Sequence, residues 1–301
     1  MNEKRFGFIG VGQLARPMVQ HLLDQGYEVL VHNRHRDPLE RLMSKGAVYC
    51  ERPEDAVTEG GILFNCLPDD AAFLSVFHAH GTIFRKLGDS GLHVSMATIS
   101  PQASRVVHER HKTLGGNYCV ATVMGRPDAV ENKKQFYIMA GESTQIARVR
   151  HVLDSIGGGT FVLEGDPEVA NSAKLAFNFL IASAIESMAE AFTFARKNGV
   201  DVDQFFSMIT ETLLSSPLYK NYGKAIIGRQ FYQPLFKLAL GAKDMNLVST
   251  AAKESRSPMR FASVLQDRFT ASLAKGREGY DWLGIAIDVE EEAGITTESQ
   301  K

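Results

Sequence analysis

A chain of 301 residues is long enough for two domains of roughly 100–200 residues each. Hydrophobic residues make up 44% and charged residues 23%, which supplies packed cores and excludes wholesale disorder. The formal net charge of -2 argues against nucleic acid or an anionic membrane surface as a general partner, and no stretch approaches the ~20 apolar residues of a membrane span.

The chain opens with a short apolar strand pattern from Arg5 to Ile9. Gly10-Val11-Gly12-Gln13-Leu14-Ala15 follows at once, and a helix pattern then runs to about Gln25. Strand, glycine-rich turn and helix in that order is the setting of a dinucleotide-binding site. Gly10 permits the tight turn, Gly12 lets backbone approach a pyrophosphate, and Ala15 allows close helix–strand packing. The helix N-terminus offers free N–H groups and a positive dipole end, so Gly10, Val11, Gly12, Gln13 and Leu14 are candidate cofactor contacts. Tyr27 to Val31 is the second expected strand. A site selective for NAD presents Asp or Glu at its tip, to bond the ribose 2′-hydroxyl. This chain has His32-Asn33-Arg34-His35-Arg36 instead. Asn33, Arg34 and Arg36 can bond and neutralise a 2′-phosphate, which favours NADP over NAD. Asp37 is then expected to cap a helix that starts at Pro38.

Helix and strand signals continue to alternate. Strands are expected at Val48 to Cys50, Ile62 to Leu67, His93 to Met96, Tyr118 to Val123, Gln135 to Met139 and Thr160 to Leu163. Pro68-Asp69-Asp70 ends one strand and caps the next helix; Ser100 and Pro101 start a helix that reaches about Leu114. Such alternation predicts a mostly parallel sheet with helices on both faces. Ligands bind such sheets beyond the carboxyl ends of the strands, which places the glycine-rich turn, Asn33 to Arg36, Leu67, Pro68 and Thr98 around one crevice. The composition changes at Gly165. Asp166 and Pro167 begin a helix with no breaker before Gly199, and the remainder reads as helices only, at about 201–214, 217–227, 234–254, 259–275 and 281–292. The expected division is a nucleotide-binding domain over 1–164, a long connecting helix over 165–198 and an all-helical domain over 199–301. On the connecting helix Asn171, Lys174 and Asn178 fall at i, i+3 and i+7, so they share one face.

Cys50, Cys66 and Cys119 are widely spaced, and neither they nor His78/His80 and His108/His111 show a metal-ligand spacing. A reduced, soluble, cytoplasmic protein without a metal centre is expected.

Four motifs in order resemble those of the β-hydroxyacid dehydrogenases, the family of 3-hydroxyisobutyrate dehydrogenase and glyoxylate/succinic semialdehyde reductase, which shares its fold with 6-phosphogluconate dehydrogenase. They are Gly10 to Met18 (GVGQLARPM), Thr98-Ile99-Ser100-Pro101, Lys174 with Asn178, and Lys243-Asp244. The resemblance implies a Rossmann-like first domain, a long interdomain helix and an all-α second domain. It implies Lys174 and Asn178 as catalytic residues, Lys243 as a cofactor contact, and a homodimer or homotetramer built through the helical domains. The substrate segment departs from the family pattern. Ala97-Thr98 stands where the family has Ser-Thr, and Val120 to Arg126 replaces a segment that ends Ser-Gly-Gly, so that Met124 and Arg126 flank Gly125. Glu168 and Ala170 replace glycines ahead of the lysine. Thr98, Met124, Gly125, Arg126, Asn171 and Lys174 are the candidate substrate contacts.

The expected reaction is hydride transfer between NADPH and a small carbonyl compound, with Lys174 donating the proton. Two alternatives accompany it: a reductase of less polar ketones or imines, pointed to by Met124 and the lost serine, and a non-catalytic NADP-binding scaffold or sensor.

Overall fold

A computed structural model describes residues 4–77 and 81–295; the His78/His80 pair and the C-terminal tail from 296 lie outside the described residues. The chain forms two compact units, residues 1–174 and 175–301.

The first unit is built on eight strands: β1 (Arg5–Ile9), β2 (Glu28–His32), β3 (Val48–Tyr49), β4 (Ile62–Asn65), β5 (Leu92–Ser95), β6 (Asn117–Met124), β7 (Phe136–Ala140) and β8 (Gly159–Val162). They form one sheet in the order β3-β2-β1-β4-β5-β6-β7-β8. Neighbours run parallel except at β6 and β7, which are antiparallel. The helices between them are α1 (Ala15–Asp24), α2 (Glu40–Met43), α3 (Asp70–Phe77), α4 (Thr82–Leu87), α5 (Pro101–Leu114), α6 (Pro127–Glu131) and α7 (Ser143–Ser155). Successive strand residues face opposite sides, and both sides are apolar. Phe6, Phe8, Val31 and Phe64 join the cluster that holds Met18 of α1 and Val149 of α7. Leu63, Val120 and Ile138 join the opposite cluster, with Phe73 of α3, Phe84 of α4 and Val107 of α5. This is the expected Rossmann-like α/β architecture.

Local chemistry sets the ends of these elements. Ser100 Oγ accepts from the Ala103 amide at 3.0 Å and starts α5, while Asp69 Oδ1 accepts from the Ala72 amide at 2.8 Å and starts α3. Asp37 does not cap a helix. A 3₁₀ turn over Asp37–Leu39 closes one residue early, with the Leu39 amide bonded to the Arg36 carbonyl at 2.8 Å, and Arg36 takes the cap position.

α8 (Glu168–Lys197) carries the chain from the first unit into the second. The second unit continues with α9 (Val202–Glu211), α10 (Pro217–Ile227), α11 (Leu238–Glu254), α12 (Arg260–Ala274) and α13 (Ile285–Glu292). Gly199, at φ 77, ends α8 as expected, and Asp201 accepts from the Gln204 amide at 2.8 Å to start α9. Asp281 accepts from the Leu283, Leu235 and Phe236 amides at 3.1, 2.9 and 3.1 Å, fastening the 3₁₀ turn ahead of α13 to the segment before α11. Phe231 and Trp282 are buried in this unit's core, and Phe236 and Tyr280 pack against it partly buried, as aromatics at helical spacing should. One expectation is corrected. α8 spans 30 residues and is apolar enough, by length and composition, to cross a membrane; half of its most apolar window is buried inside the protein. The scattered polar residues that break the run by eye, Asn178 and Ser183, do not offset the eight alanines and four phenylalanines of the helix.

Candidate functional site

The strand order reverses around β1, which lies between β2 and β4. The connections that follow these strands therefore leave on opposite sides, and a crevice opens at their carboxyl ends. Gly10 follows β1 at φ 83, a conformation that favours glycine. A side chain there would also meet Leu67 Cδ2 at 2.9 Å and the Cys66 carbonyl oxygen at 3.0 Å, so the turn after β1 presses on the turn after β4. Gly12 is the opposite case: a Cβ on it would touch nothing within 4 Å. Space therefore stands open over the glycine-rich turn. α1 begins beside it with Leu14 in the cap position and no side chain capping the helix among the described residues. A positive dipole end and open space over the glycine-rich turn together suit a pyrophosphate, so the residues present fit a dinucleotide.

Asn33 has a structural role that spacing did not announce. Its Oδ1 accepts from the Val11 amide at 3.2 Å, and its Nδ2 donates to the His35 carbonyl at 2.9 Å. It thereby fastens the loop after β2 to the glycine-rich turn and folds that loop on itself. Arg34 and Arg36 are exposed on this loop, with the Arg36 guanidinium over the Tyr49 ring at 5.2 Å. Stacking holds one guanidinium in a defined plane while leaving its charge accessible.

Thr98 follows β5, Met124 ends β6, and Gly125 and Arg126 follow it; since β5 and β6 are parallel, these residues share the same sheet edge as the glycine-rich turn. Thr98 is half-buried, held by its neighbour's capping network: Asp70 accepts from the Ser100 amide at 2.8 Å and from its hydroxyl at 2.5 Å. Asp70 was expected to help cap α3 and instead fixes the Thr98–Pro101 segment. Gly125 is explained by packing, because a Cβ there would lie 2.7 Å from Gln135 Cβ. Met124 is partly buried against the core cluster of its sheet face. Arg126 pairs with Asp128 at 3.7 Å and keeps a quarter of its side chain exposed.

On α8, Asn171, Lys174 and Asn178 are 1%, 8% and 4% exposed. Neither amide atom of Asn171 has a hydrogen-bond partner within the described residues. A buried amide left so costs about 1–3 kcal/mol per unmet group, a cost that a bound ligand would relieve. The first turn of α8 is fixed by Glu168, whose Oε1 accepts from Arg105 Nε at 3.0 Å and whose Oε2 lies 3.4 Å from His108 Nδ1. The glutamate thus ties α8 to α5, and its charge sits at the favourable end of the helix dipole. In the second unit Asn178 Nδ2 donates to Asp244 Oδ2 at 2.6 Å, and Asp244 Oδ1 pairs with Lys243 Nζ at 2.9 Å. Asp244 is 1% exposed, so it orders both neighbours from within the core. Asp244→Ala is expected to destabilise this unit by about 3 kcal/mol, read by urea unfolding, because two donors lose their buried acceptor. Asp244→Asn should retain more than half of that stability.

Among the described residues no group of histidines, cysteines or carboxylates could hold a metal ion, and no disulfide joins Cys50, Cys66 or Cys119.

Residues 5–165 match the family model for the NAD-binding domain of 6-phosphogluconate dehydrogenase, and residues 169–288 match that for the NAD-binding region of NADP-dependent 3-hydroxyisobutyrate dehydrogenase. The chain is 31% identical to uncharacterized oxidoreductase YfjR of Bacillus subtilis, over 93% of this chain and 98% of the relative. It is 25% identical to glyoxylate/succinic semialdehyde reductase 1 of Arabidopsis thaliana, over 93% and 96% of the two chains. The fold is similar to that of Mycobacterium tuberculosis 3-hydroxyisobutyrate dehydrogenase with L-serine, with a TM-score of 0.83, 21% identity, and coverage of 95% and 99%.

Proposed function

The chain belongs to the β-hydroxyacid dehydrogenase family, and on that premise we propose that it is an NADP-dependent reductase of a small oxoacid or semialdehyde, with Lys174 as general acid/base. It is an NAD(P)-dependent oxidoreductase acting on a small carbonyl or hydroxy compound. The observation that carries the finer reading is the buried face of α8, where Lys174 and Asn178 stand with the unpartnered amide of Asn171.

Gly10 to Leu14 hold the pyrophosphate of NADP, with Leu67, Pro68 and Thr98 beside them, and Arg34 and Arg36 hold its 2′-phosphate. Lys243 adds positive charge toward the cofactor. When bound, NADPH supplies the hydride. As charge develops on the substrate oxygen, the Lys174 ammonium hydrogen-bonds it, stabilises it and passes it a proton. Asn178 orients the lysine, and Asn171 spends its unpartnered amide on the substrate or cofactor. Arg126 accepts the substrate carboxylate, with Thr98, Met124 and Gly125 forming the remaining wall. Residues 1–164 carry the cofactor, 165–198 the proton donor, and 199–301 the oligomer contacts of a homodimer or homotetramer; Met208, at 57% exposed, and Leu213, at 98%, support such contacts.

The half-buried Met124 favours a second reading, in which the substrate is a less polar ketone or imine. Steady-state assays with glyoxylate, succinic semialdehyde, uncharged ketones and cyclic imines separate the two. Carboxylate substrates are expected to give the higher kcat/KM; NADPH consumption confined to uncharged substrates rejects the oxoacid reading. Replacing both Arg34 and Arg36 by alanine is expected to weaken NADPH binding at least about tenfold, since each charged hydrogen bond contributes about 1.5–3 kcal/mol. NADH affinity should stay within about twofold, as fluorescence titration will read. Equal losses for both cofactors reject the 2′-phosphate assignment.

A further inference from the structure

A sheet that ends on an open strand leaves N–H and C=O groups without partners, and a folded chain has to manage that edge. The two edges of this sheet are managed differently. β3 is only two residues long, and the Arg36 guanidinium lies over its Tyr49 ring. β8, at the other edge, has no lysine or proline to blunt it. It reads Gly159-Thr160-Phe161-Val162, with Phe161 56% and Val162 44% exposed. Phe161 continues a patch with the exposed Phe136 of β7, their ring centroids 5.6 Å apart. Two adjacent exposed aromatic rings beside an unpaired backbone edge mark a surface that associates.

The pairing of β7 with β8 fixes which backbone groups face outward. The Leu163 amide donates to the Met139 carbonyl at 2.8 Å, so Phe161 and Leu163 turn their backbone groups toward β7. Direction alternates along a strand, so Thr160 and Val162 turn theirs to the open side. That spacing is self-complementary. With a second copy antiparallel and its Phe161 opposite this one, Val162 of each chain faces Thr160 of the other, and each such pair exchanges two N–H···O bonds. A two-fold axis then passes between the two Phe161 residues. They meet as a non-hydrogen-bonded pair, the closer kind, with Cα atoms about 4.5 Å apart. Charge fits the same arrangement. A side chain on Gly158 would meet the Lys134 carbonyl at 3.3 Å, so exposed Lys134 stands at the start of β8, and exposed Glu164 follows its end. Antiparallel pairing brings the start of one strand beside the end of the other. It therefore sets Lys134 near the second copy's Glu164, twice about the axis.

We propose that β8 is a two-fold interface at which a second copy of this chain adds its own β8, joining the two sheets into one. The contact lies within the first unit, separate from the oligomer contacts assigned to residues 199–301, and it does not depend on the reaction.

Sedimentation velocity of the full chain tests it. Val162→Pro removes an N–H that a single copy leaves unused, so the fold tolerates it while the contact loses two of its four bonds. The expected result is a species of half the parent's mass at the same concentration, with an unchanged circular dichroism spectrum. Lys134→Glu and Glu164→Lys should each weaken association about tenfold, and the two together should restore it, which a folding defect would not do. Phe161→Cys should give a disulfide-linked pair under mild oxidation, because Cα atoms at that spacing can be bridged. Phe136→Cys, one strand farther from the axis, should not. The charge and cysteine variants change only exposed side chains, so they carry the test even where Val162→Pro misfolds. The proposal is overturned if the parent is monomeric, if folded Val162→Pro sediments as the parent does, if the double reversal stays as weak as the single ones, or if Phe161→Cys does not cross-link.

Discussion

Lys174→Ala is expected to lower kcat by about 10²–10⁴-fold while NADPH still binds with nearly its original affinity, the size that follows when a positioned proton donor is lost. That range corresponds to about 3–5 kcal/mol of transition-state stabilisation. Lys174→Arg sharpens the test. It keeps a positive charge on the same face of α8, but a guanidinium does not give up its proton, so the charge returns without the acid. The arginine variant should therefore recover little of the lost rate. Because Lys174 is nearly buried, each variant needs its unfolding midpoint measured beside its kinetics. Recovery of most of the rate by arginine would show that charge alone is needed and would remove the proton-transfer role. A rate unchanged in Lys174→Ala removes the lysine from the chemistry altogether.

The second large effect concerns stability. His93 and His111 are both buried between the sheet and α5. Asn65 Nδ2 donates to His93 Nε2 at 2.7 Å, which leaves the proton of neutral His93 on Nδ1 and pointed at His111 Nε2, 3.0 Å away. Phe77 stacks on His93 with ring centroids 4.1 Å apart, and Phe84 and Tyr118 flank His111. Burial, with a smaller repulsion from His108, pushes His111 down to about 3, and burial with the neighbouring His111 holds His93 well below the ordinary value of 6.5. The unfolded chain thus binds protons at these two sites that the folded chain refuses. Stability from them is complete above about pH 6.5 and is lost as the pH falls toward the folded values. By pH 5 His111 alone costs about 2 kcal/mol relative to neutral pH, and His93 acts in the same direction. Urea unfolding at pH 7 and pH 5 measures the difference. His111→Gln, which cannot take up the proton, should make it clearly smaller. Equal stability at the two pH values contradicts the buried neutral pair.

The strands and the long helix were legible because their signals are strong and local. β1 with its glycine-rich turn, Ser100 ahead of Pro101, and the unbroken run that ends at Gly199 each combine hydrophobic periodicity with a cap or a stop. α4, α6 and α7 were not visible in the same way. α4 and α6 are six and five residues long, and α7 follows Glu142 in the cap position without a side-chain bond. The reversed direction of β7 and β8 was also hidden, since a buried strand has the same alternation in either sense. At the site, the glycine-rich turn could be read because each glycine has a local reason. The tasks of Asn33, Asp70 and Glu168 could not be read, because each is defined by a partner 22, 30 or 63 positions away. Glu168 shows the point well: in sequence it is a departure from a glycine, and in the fold it is the tie between α5 and α8.

The reaction itself can be tested by following the hydrogen. With NADPH deuterated at the transferable position of the nicotinamide and succinic semialdehyde or glyoxylate as acceptor, mass spectrometry of the product reads the transfer directly. The expected product carries one deuterium on the new carbinol carbon, and Lys174→Ala forms it at least about a hundredfold more slowly. NADPH that binds tightly yet gives no deuterium to any oxoacid, aldehyde, ketone or imine would contradict the assignment and leave a nucleotide-binding protein without turnover.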